Sequence, residues 1–349
     1  MNGAQRLMGR IAGIVGAAIA AVALAWWGLR VHTPAIADDP AHPGTAIASL
    51  EQVRLDGDPQ WVLIRGRNRH APIVLFLHGG PGNPLMRFAH AFQRPLEKDF
   101  LVVQWDRRGA GKSYRGPADI PHMRASLEVA DTIQLIEKLR ARFGGGKVIL
   151  VGHSYGSGIG ALVAARRPDL VRAYVGVGQI ACPWGQVLAM QDAWLLSQAA
   201  RRHDASLVKA IRAHRRFDHE VAVFAYGGAL AHANGKFPLW LTSLRAPEYS
   251  LRDVWHTRKG IRFTHGHLQT DAYRGALMDA VPRIPVPVYF FEGRNDHVTP
   301  PVCVQRYLRR LDAPRKEMVW FERSAHFPFL EEPENFHRAL LRVAAQTDG

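Results

Sequence analysis

Residues 152–157 read GHSYGS and follow the apolar run KVILV. A serine between two glycines there can serve as a nucleophile, if the chain turns sharply from strand into helix. Gly152 and Gly156 are what such a turn needs, because side chains there would clash with the neighbouring strand and helix. Ser154 would then stand at a helix N-terminus, whose N–H groups favour developing negative charge. A serine hydroxyl is a weak nucleophile until a histidine removes its proton, and the histidine needs a carboxylate to fix its tautomer. Downstream, VYFFEGRND places Asp296 just past one apolar run, and VWFERSAHF places His326 just past the last. Asp271 and Asp279 are alternatives for the acid, but both precede the run that Asp296 follows. His326 is one of 17 histidines and is singled out by its place after the final run. The chemistry implied is acyl transfer through a tetrahedral oxyanion, which needs N–H donors. HGGPG, residues 78–82, ends the run PIVLFL, and its glycines let backbone approach a substrate oxygen. Gly80 and Tyr155, the residue after the serine, are the expected donors, with Gly79 the close alternative to Gly80.

Two other motifs carry less. GAGKS resembles the end of a phosphate-binding loop, but the spacing requires glycine at 106, where Asp106 stands. DRRGAGKS is better read as a loop bracing the site, with Asp106 and Arg107 in structural contacts. HGH, residues 265–267, has no third ligand at a useful spacing, so no metal site is expected. No cofactor motif is present, and no cofactor is expected.

The elements that must position these residues alternate. IASLEQVRL and QWVLIRG read as a hairpin around a DGDP turn. PIVLFL lacks polar alternation, as a strand buried on both faces should. LMRFAHAFQRPLEKDF is helix-like, with Pro95 ending or kinking it. LVVQWD reads as a strand. SLEVADTIQLIEKLRARF has a helical apolar period and stops at Gly144-Gly145-Gly146. KVILVG, VRAYVGVG, PVPVYFFEG and KEMVWFE are further strands; helices are expected over 154–166, 301–311 and 333–345. Repeated β–α units imply a mostly parallel sheet with helices on both faces, and ligands at the carboxyl ends of its strands. Residues 182–280 break the alternation and read as an inserted helical cap between core segments 46–181 and 281–349. Its tryptophans, Trp184, Trp194, Trp240 and Trp255, would line an apolar pocket facing Ser154 or form the cap's own core.

The chain has 349 residues, 47% of them apolar and 21% charged, enough for a substantial core. Its net charge of +15 comes from scattered residues rather than runs. No zinc-finger or RRM-like pattern accompanies it, so no nucleic-acid partner is expected. Two cysteines, Cys182 and Cys303, exclude a disulfide framework but leave one bridge open. Residues 1–31 carry Arg6 and Arg10 and then an uncharged apolar run, 11–29, ending in Trp26-Trp27. Nineteen residues in a helix reach roughly 28 Å, about the hydrocarbon thickness of a bilayer. With the positive flank first, the expectation is a membrane anchor with the remainder exported. The alternative is a signal peptide cut after Ala35-Ile36-Ala37 and a secreted product. Residues 32–45, Pro-rich and polar, form a linker.

HGGPG, WDRRGAGKS (105–113) and GHSYGS, followed by a cap and then GRND and SAH, together resemble the α/β-hydrolase family. The resemblance is to its proline iminopeptidase-like branch, peptidase family S33, and covers roughly residues 46–345. It implies an α/β-hydrolase fold, a triad of Ser154, Asp296 and His326, and an oxyanion hole of Gly80 and Tyr155. The substrate implied is a small peptide or amide with a free N-terminal amine. The sequence departs from the family pattern at His153 and Tyr155, where iminopeptidases usually carry Gly or Gln and Trp. In that branch cap carboxylates hold the amine; here Glu248 is the candidate, with Trp184 beside the substrate. The cap is basic, with 13 Lys/Arg against 8 Asp/Glu, which instead favours an anionic substrate. An esterase is therefore the alternative, and a non-catalytic ligand-binding protein of the same fold the rival of another class.

Overall fold

The computed structural model describes residues 3–31, 35–213, 218–269 and 275–347. Eight strands form one sheet: β1 Ile47–Leu55, β2 Asp58–Gly66, β3 Ile73–Leu77, β4 Leu101–Asp106, β5 Val148–His153, β6 Val171–Val177, β7 Val288–Gly293 and β8 Lys316–Phe321. Their order is β1-β2-β4-β3-β5-β6-β7-β8. β1 and β2 are antiparallel to each other, β2 is antiparallel to β4, and every other pair is parallel.

The local reasons are visible in the residues. Asp56 and Gly57 both take positive φ, +47° and +80°, the two-residue turn whose twist matches a hairpin. β1 alternates between half-buried and exposed residues, as an edge strand covered on one face should. β3 and β5 are buried throughout. Val74 and Phe76 of β3 point into one apolar cluster, and Leu75 and Leu77 into the other. The sheet is therefore covered on both faces. One cover includes the helices Ala125–Phe143 (α2), Tyr155–Arg166 (α3) and Pro301–Arg310 (α9), through residues such as Leu135, Ile159 and Tyr307. The other includes Phe336 and Leu340 of the last helix, Pro333–Gln346 (α10). Gly144 ends α2 in the left-handed region, φ +102°.

Between β6 and β7 stand α4 (Trp184–Arg201), α5 (Ala205–Arg212), α6 (His219–Ala225), α7 (Phe237–Leu244) and α8 (Leu251–His267). One expectation needs correction, and one left open is answered. Residues 85–100 are not one helix interrupted at Pro95; they break into short turns, Met86–Phe88, Ala89–Phe92 and Leu96–Lys98. The two cysteines do pair: Cys182 and Cys303 form a disulfide with Cα atoms 5.4 Å apart, joining the residues just before α4 to α9. At the N-terminus, α1 runs Gly3–Leu29, and its segment Arg10–Gly28 is long and apolar enough to cross a membrane.

Candidate active site

Ser154 sits between β5 and α3 with φ +53° and ψ −123°, a conformation a non-glycine residue rarely holds. From Val148 to Ala164 it is the only residue that is not buried. The turn is compressed around it. A Cβ on Gly152 would lie 2.6 Å from the Gly156 carbonyl oxygen, and one on Gly156 would run into the carbonyl oxygens of Leu77 and His78. The Ser154 N–H donates to Val177 O at 2.9 Å, tying the turn to the end of β6. The first turn of α3 follows, with N–H groups that have no carbonyl four residues back within the helix.

Asp296 and His326 meet past the ends of β7 and β8. His326 Nδ1 lies 2.7 Å from Asp296 Oδ2, and both side chains are buried. Asp296 also accepts from the N–H groups of Val298 (2.7 Å) and Thr299 (2.9 Å) and from the Thr299 hydroxyl (2.8 Å). A carboxylate with that many donors is fixed as an acceptor, so Nδ1 carries the proton toward it and Nε2 is left as the base. The His326 backbone is held from two sides. Its N–H donates to Ala229 O at 3.1 Å, and its carbonyl accepts from His153 Nε2 at 2.9 Å. Burial pushes the His153 imidazole well below its ordinary range, so it is neutral, with Nε2 protonated.

The HGGPG loop closes the other side. A Cβ on Gly79 would stand 2.8 Å from Ser154 Cβ, so only glycine lets this backbone lie against the serine. Gly80 has φ +110°. His78 is buried and, by burial first and the nearby Arg107 charge second, driven well below its ordinary pKa. Its Nδ1 lies 3.0 Å from Gly79 O, and its Nε2 accepts from Arg107 N–H at 3.2 Å. Arg107 is itself buried, bonded to His78 O and paired with Glu128 at 3.3 Å. Asp106 accepts from Lys112 N–H at 2.8 Å and from the Tyr249 hydroxyl. The DRRGAGKS loop thus braces HGGPG from below.

Several contributors have weak sequence signals. Gly178 follows β6 with φ +53°, directly against the His326 ring. Thr299 holds Asp296 from three residues downstream. Glu292, two residues before the β7 end loop, is fully buried and accepts from Gln179 N–H at 2.9 Å. Burial, and then the Asp296 charge, raise its pKa well above the ordinary carboxylate value. The glycine after a strand and the threonine of DHVT were legible as types, but nothing in their spacing marked their partners.

Other expected residues are not brought to Ser154. Glu248 lines a cavity of about 410 Å³ with Trp27, Arg30, Leu50, Leu63 and Arg65. That cavity lies at β1 and β2, three and four strand spacings from β5, roughly 14–19 Å. Trp184, at the start of α4, is 61% exposed. Trp240 and Trp255 are also exposed, so they form neither the expected pocket nor a cap core. Trp194 alone faces inward: it stacks on His297, beside Asp296, with centroids 4.1 Å apart. Asp279 pairs with Arg310 at 2.9 Å, away from His326, and Asp271 lies outside the described residues.

A family model described as "alpha/beta hydrolase fold" matches residues 72–333. The chain is 32% identical over 308 residues to a "Probable aminopeptidase YbaC" of Bacillus subtilis (strain 168), covering 86% of this chain and 97% of the relative. It is 26% identical to a "Proline iminopeptidase" of Heyndrickxia coagulans, over 75% of this chain and 87% of that one. The crystal structure of a proline iminopeptidase from Mycobacterium smegmatis superposes with a TM-score of 0.60 at 19% identity, covering 86% of this chain and 98% of that one. With one mostly parallel eight-stranded sheet carrying a serine elbow, and with these likenesses spanning most of its length, the chain belongs to the α/β-hydrolase fold family, in its proline iminopeptidase-like branch, and is a hydrolase.

Proposed function

We propose that this hydrolase works through an acyl-enzyme, with Ser154 as nucleophile, His326 as base and then acid, and Asp296 as the group that orients and stabilises the imidazolium. The observation that carries this reading is the 2.7 Å hydrogen bond from His326 Nδ1 to Asp296 at the strand ends, together with a strained serine, the one accessible residue of its turn, whose N–H is held by Val177 O, one residue before the Gly178 that lies against the His326 ring. His326 Nε2 takes the Ser154 proton as the oxygen attacks the substrate carbonyl. The N–H groups of Tyr155 and Gly80 stabilise the resulting oxyanion, and His326 returns the proton to the leaving group. Water then repeats the sequence on the acyl-enzyme. No metal or cofactor enters this chemistry.

The substrate reading is an aminopeptidase of the proline iminopeptidase kind, supported by the Bacillus subtilis relative matched over 97% of its length. A carboxylesterase is the second reading, and a specific observation favours it. The described acidic residues between 182 and 280 are engaged elsewhere. Asp204 and Asp218 cap helices, Asp192, Glu220, Asp253 and Asp279 pair with His219, Lys236, Lys112 and Arg310, and Glu248 faces the cavity at β1 and β2. None of these contacts leaves a carboxylate aimed at an amine beside Ser154. A fluorophosphonate probe should label the wild type and not Ser154→Ala; absence of labelling in the wild type would favour a non-catalytic binding protein. Hydrolysis of a prolyl amide that requires its free amine would support the aminopeptidase, and activity confined to short acyl esters would select the esterase.

For the N-terminus, we propose a retained anchor with the catalytic part exported. The Arg10–Gly28 helix has the length, and the Cys182–Cys303 bridge suits an oxidising compartment. Cell fractionation tests this: mature protein starting at Asp38 in a soluble fraction would replace the anchor with a cleaved signal peptide.

A further inference from the structure

The end of α1 is fastened to the body. Trp26 Nε1 donates to Leu244 O at 3.2 Å, Val31 N–H to Arg245 O at 3.0 Å, and the Arg30 guanidinium to Pro247 O at 2.5 Å. The membrane-length part of α1 is otherwise unburied, so it leaves the body at the C-terminal end of α7. A bilayer spanned by α1 would have its surface near Trp26 and Trp27, the level where tryptophan concentrates.

α7 carries an apolar stripe that runs to the same point. Phe237, Trp240, Leu241 and Leu244 stand at i, i+3, i+4 and i+7, on one face of the helix. Phe237 is 65% and Trp240 52% exposed, and their rings lie 5.9 Å apart. Leu239 and Ser243, on the opposite face, are buried. Trp240 is four residues and Phe237 seven from the carbonyl that binds Trp26, roughly 6 and 10 Å along the axis.

α8, which packs against α7, carries charge on its outer face. Its buried face, Thr257, Gly260 and Thr264, lies on the site loops. The Thr264 hydroxyl donates to Pro81 O at 2.9 Å, and a Cβ on Gly260 would be 2.6 Å from Gly109 O. The opposite face exposes Leu251, Trp255, Arg258, Lys259 and Arg262. Lys259 Nζ lies 5.6 Å from the Trp255 ring. Asp253, the helix's one acid, is already paired with Lys112. An exposed aromatic among basic residues that no described acid pairs is the chemistry of a helix lying at a phospholipid headgroup layer.

We propose that the outer faces of α7 and α8 rest on an anionic phospholipid bilayer, the one that α1 spans; this rests on the retained-anchor reading above. The apolar stripe of α7 enters the headgroup–acyl boundary, and Arg258, Lys259 and Arg262 meet the lipid phosphates. Because α8 lies directly over the HGGPG loop, the Ser154 site then stands about one helix diameter, roughly 10–12 Å, from the lipid surface.

The test uses the full chain reconstituted in phosphatidylcholine vesicles, with and without phosphatidylglycerol, whose acyl chains carry bromine to quench nearby tryptophan fluorescence. Trp27→Phe calibrates the anchor. Trp240→Phe and Trp255→Phe should each remove a share of the quenched emission comparable with that removed by Trp27→Phe. The Trp255 share should grow with phosphatidylglycerol and be lost when Arg258, Lys259 and Arg262 are replaced by Glu. Circular dichroism identical to wild type shows that the variants are folded. If Trp27→Phe lowers the quenched emission while Trp240→Phe and Trp255→Phe do not, the anchor stands and this face does not touch lipid. If Trp27→Phe changes nothing either, the anchor itself is wrong and the proposal falls with it. Unquenched Trp240 and Trp255 in a chain that is dimeric in detergent would make the face a contact between two copies, and would overturn the proposal.

Discussion

A methyl group added to Gly178 would stand 2.8 Å from both Cε1 and Nδ1 of His326, and 3.3 Å from Asp296 Oδ2. The end of β6 therefore sets how closely the imidazole can lie to its carboxylate. Gly178→Ala should displace the ring while leaving the sheet intact. The expected result is a kcat lower by roughly 10²-fold, the scale of an ångström misplacement. KM should change little and Tm should fall by only a few degrees. Wild-type kcat in this variant would show that the ring has room.

Ser154→Ala and His326→Ala should each lower kcat by at least about 10⁴-fold, and the double variant should be little worse than either, because triad members act as a unit. Asp296→Asn should keep the fold and still cost about 10⁴-fold, since Asn cannot hold the tautomer that leaves Nε2 free. Near wild-type turnover by Ser154→Ala would end the acyl-enzyme mechanism.

Cys182 and Cys303 are 121 residues apart in sequence, so their bridge removes much freedom from the unfolded chain. Chain-entropy reasoning puts its worth at roughly 4–5 kcal/mol. Denaturant unfolding of the Cys182→Ser/Cys303→Ser variant should show a loss approaching that figure. Wild type with reductant should match the variant; an unchanged midpoint would mean that the reduced, unfolded chain keeps the two segments together.

Asp106 gives a stability effect with a defined sign. Burial raises its pKa from 3.8 to about 7, against the opposing hydrogen bonds from Tyr249 and Lys112. A carboxyl raised on folding is most favourable to the fold below pH 4, and its contribution is lost as pH climbs through about 7. Asp106→Asn, which has no such proton to lose, should gain stability relative to wild type between pH 5 and pH 8. Parallel melting curves for the two proteins across that range would contradict the buried ionisation.

The motifs carried the fold because each encodes a local backbone demand. GHSYGS between an apolar run and a small-residue helix requires the elbow, and the structure shows the clashes that Gly152 and Gly156 avoid. The positions of Asp296 and His326 were legible because catalytic side chains on such sheets cluster where strands end, and strand ends can be read from apolar runs. The region 85–100 misled because its apolar spacing fits a helix, whereas its residues pack as separate turns under the sheet.

What the sequence determined by itself was therefore the set of elements, the elbow and the order of the three chemical groups, all properties of short stretches. The tertiary structure alone decided which distant segments meet. It placed Gly178 against His326, Thr299 and Val298 on Asp296, and His153 under the His326 carbonyl. It also moved Glu248 from an expected amine site to a cavity at β1 and β2, and turned Trp184, Trp240 and Trp255 outward. The physical reason is the same in each case. Backbone demands are local and leave a mark at fixed spacing, whereas the packing of helices between β6 and β7 depends on shape complementarity across more than eighty residues, for which no short pattern stands.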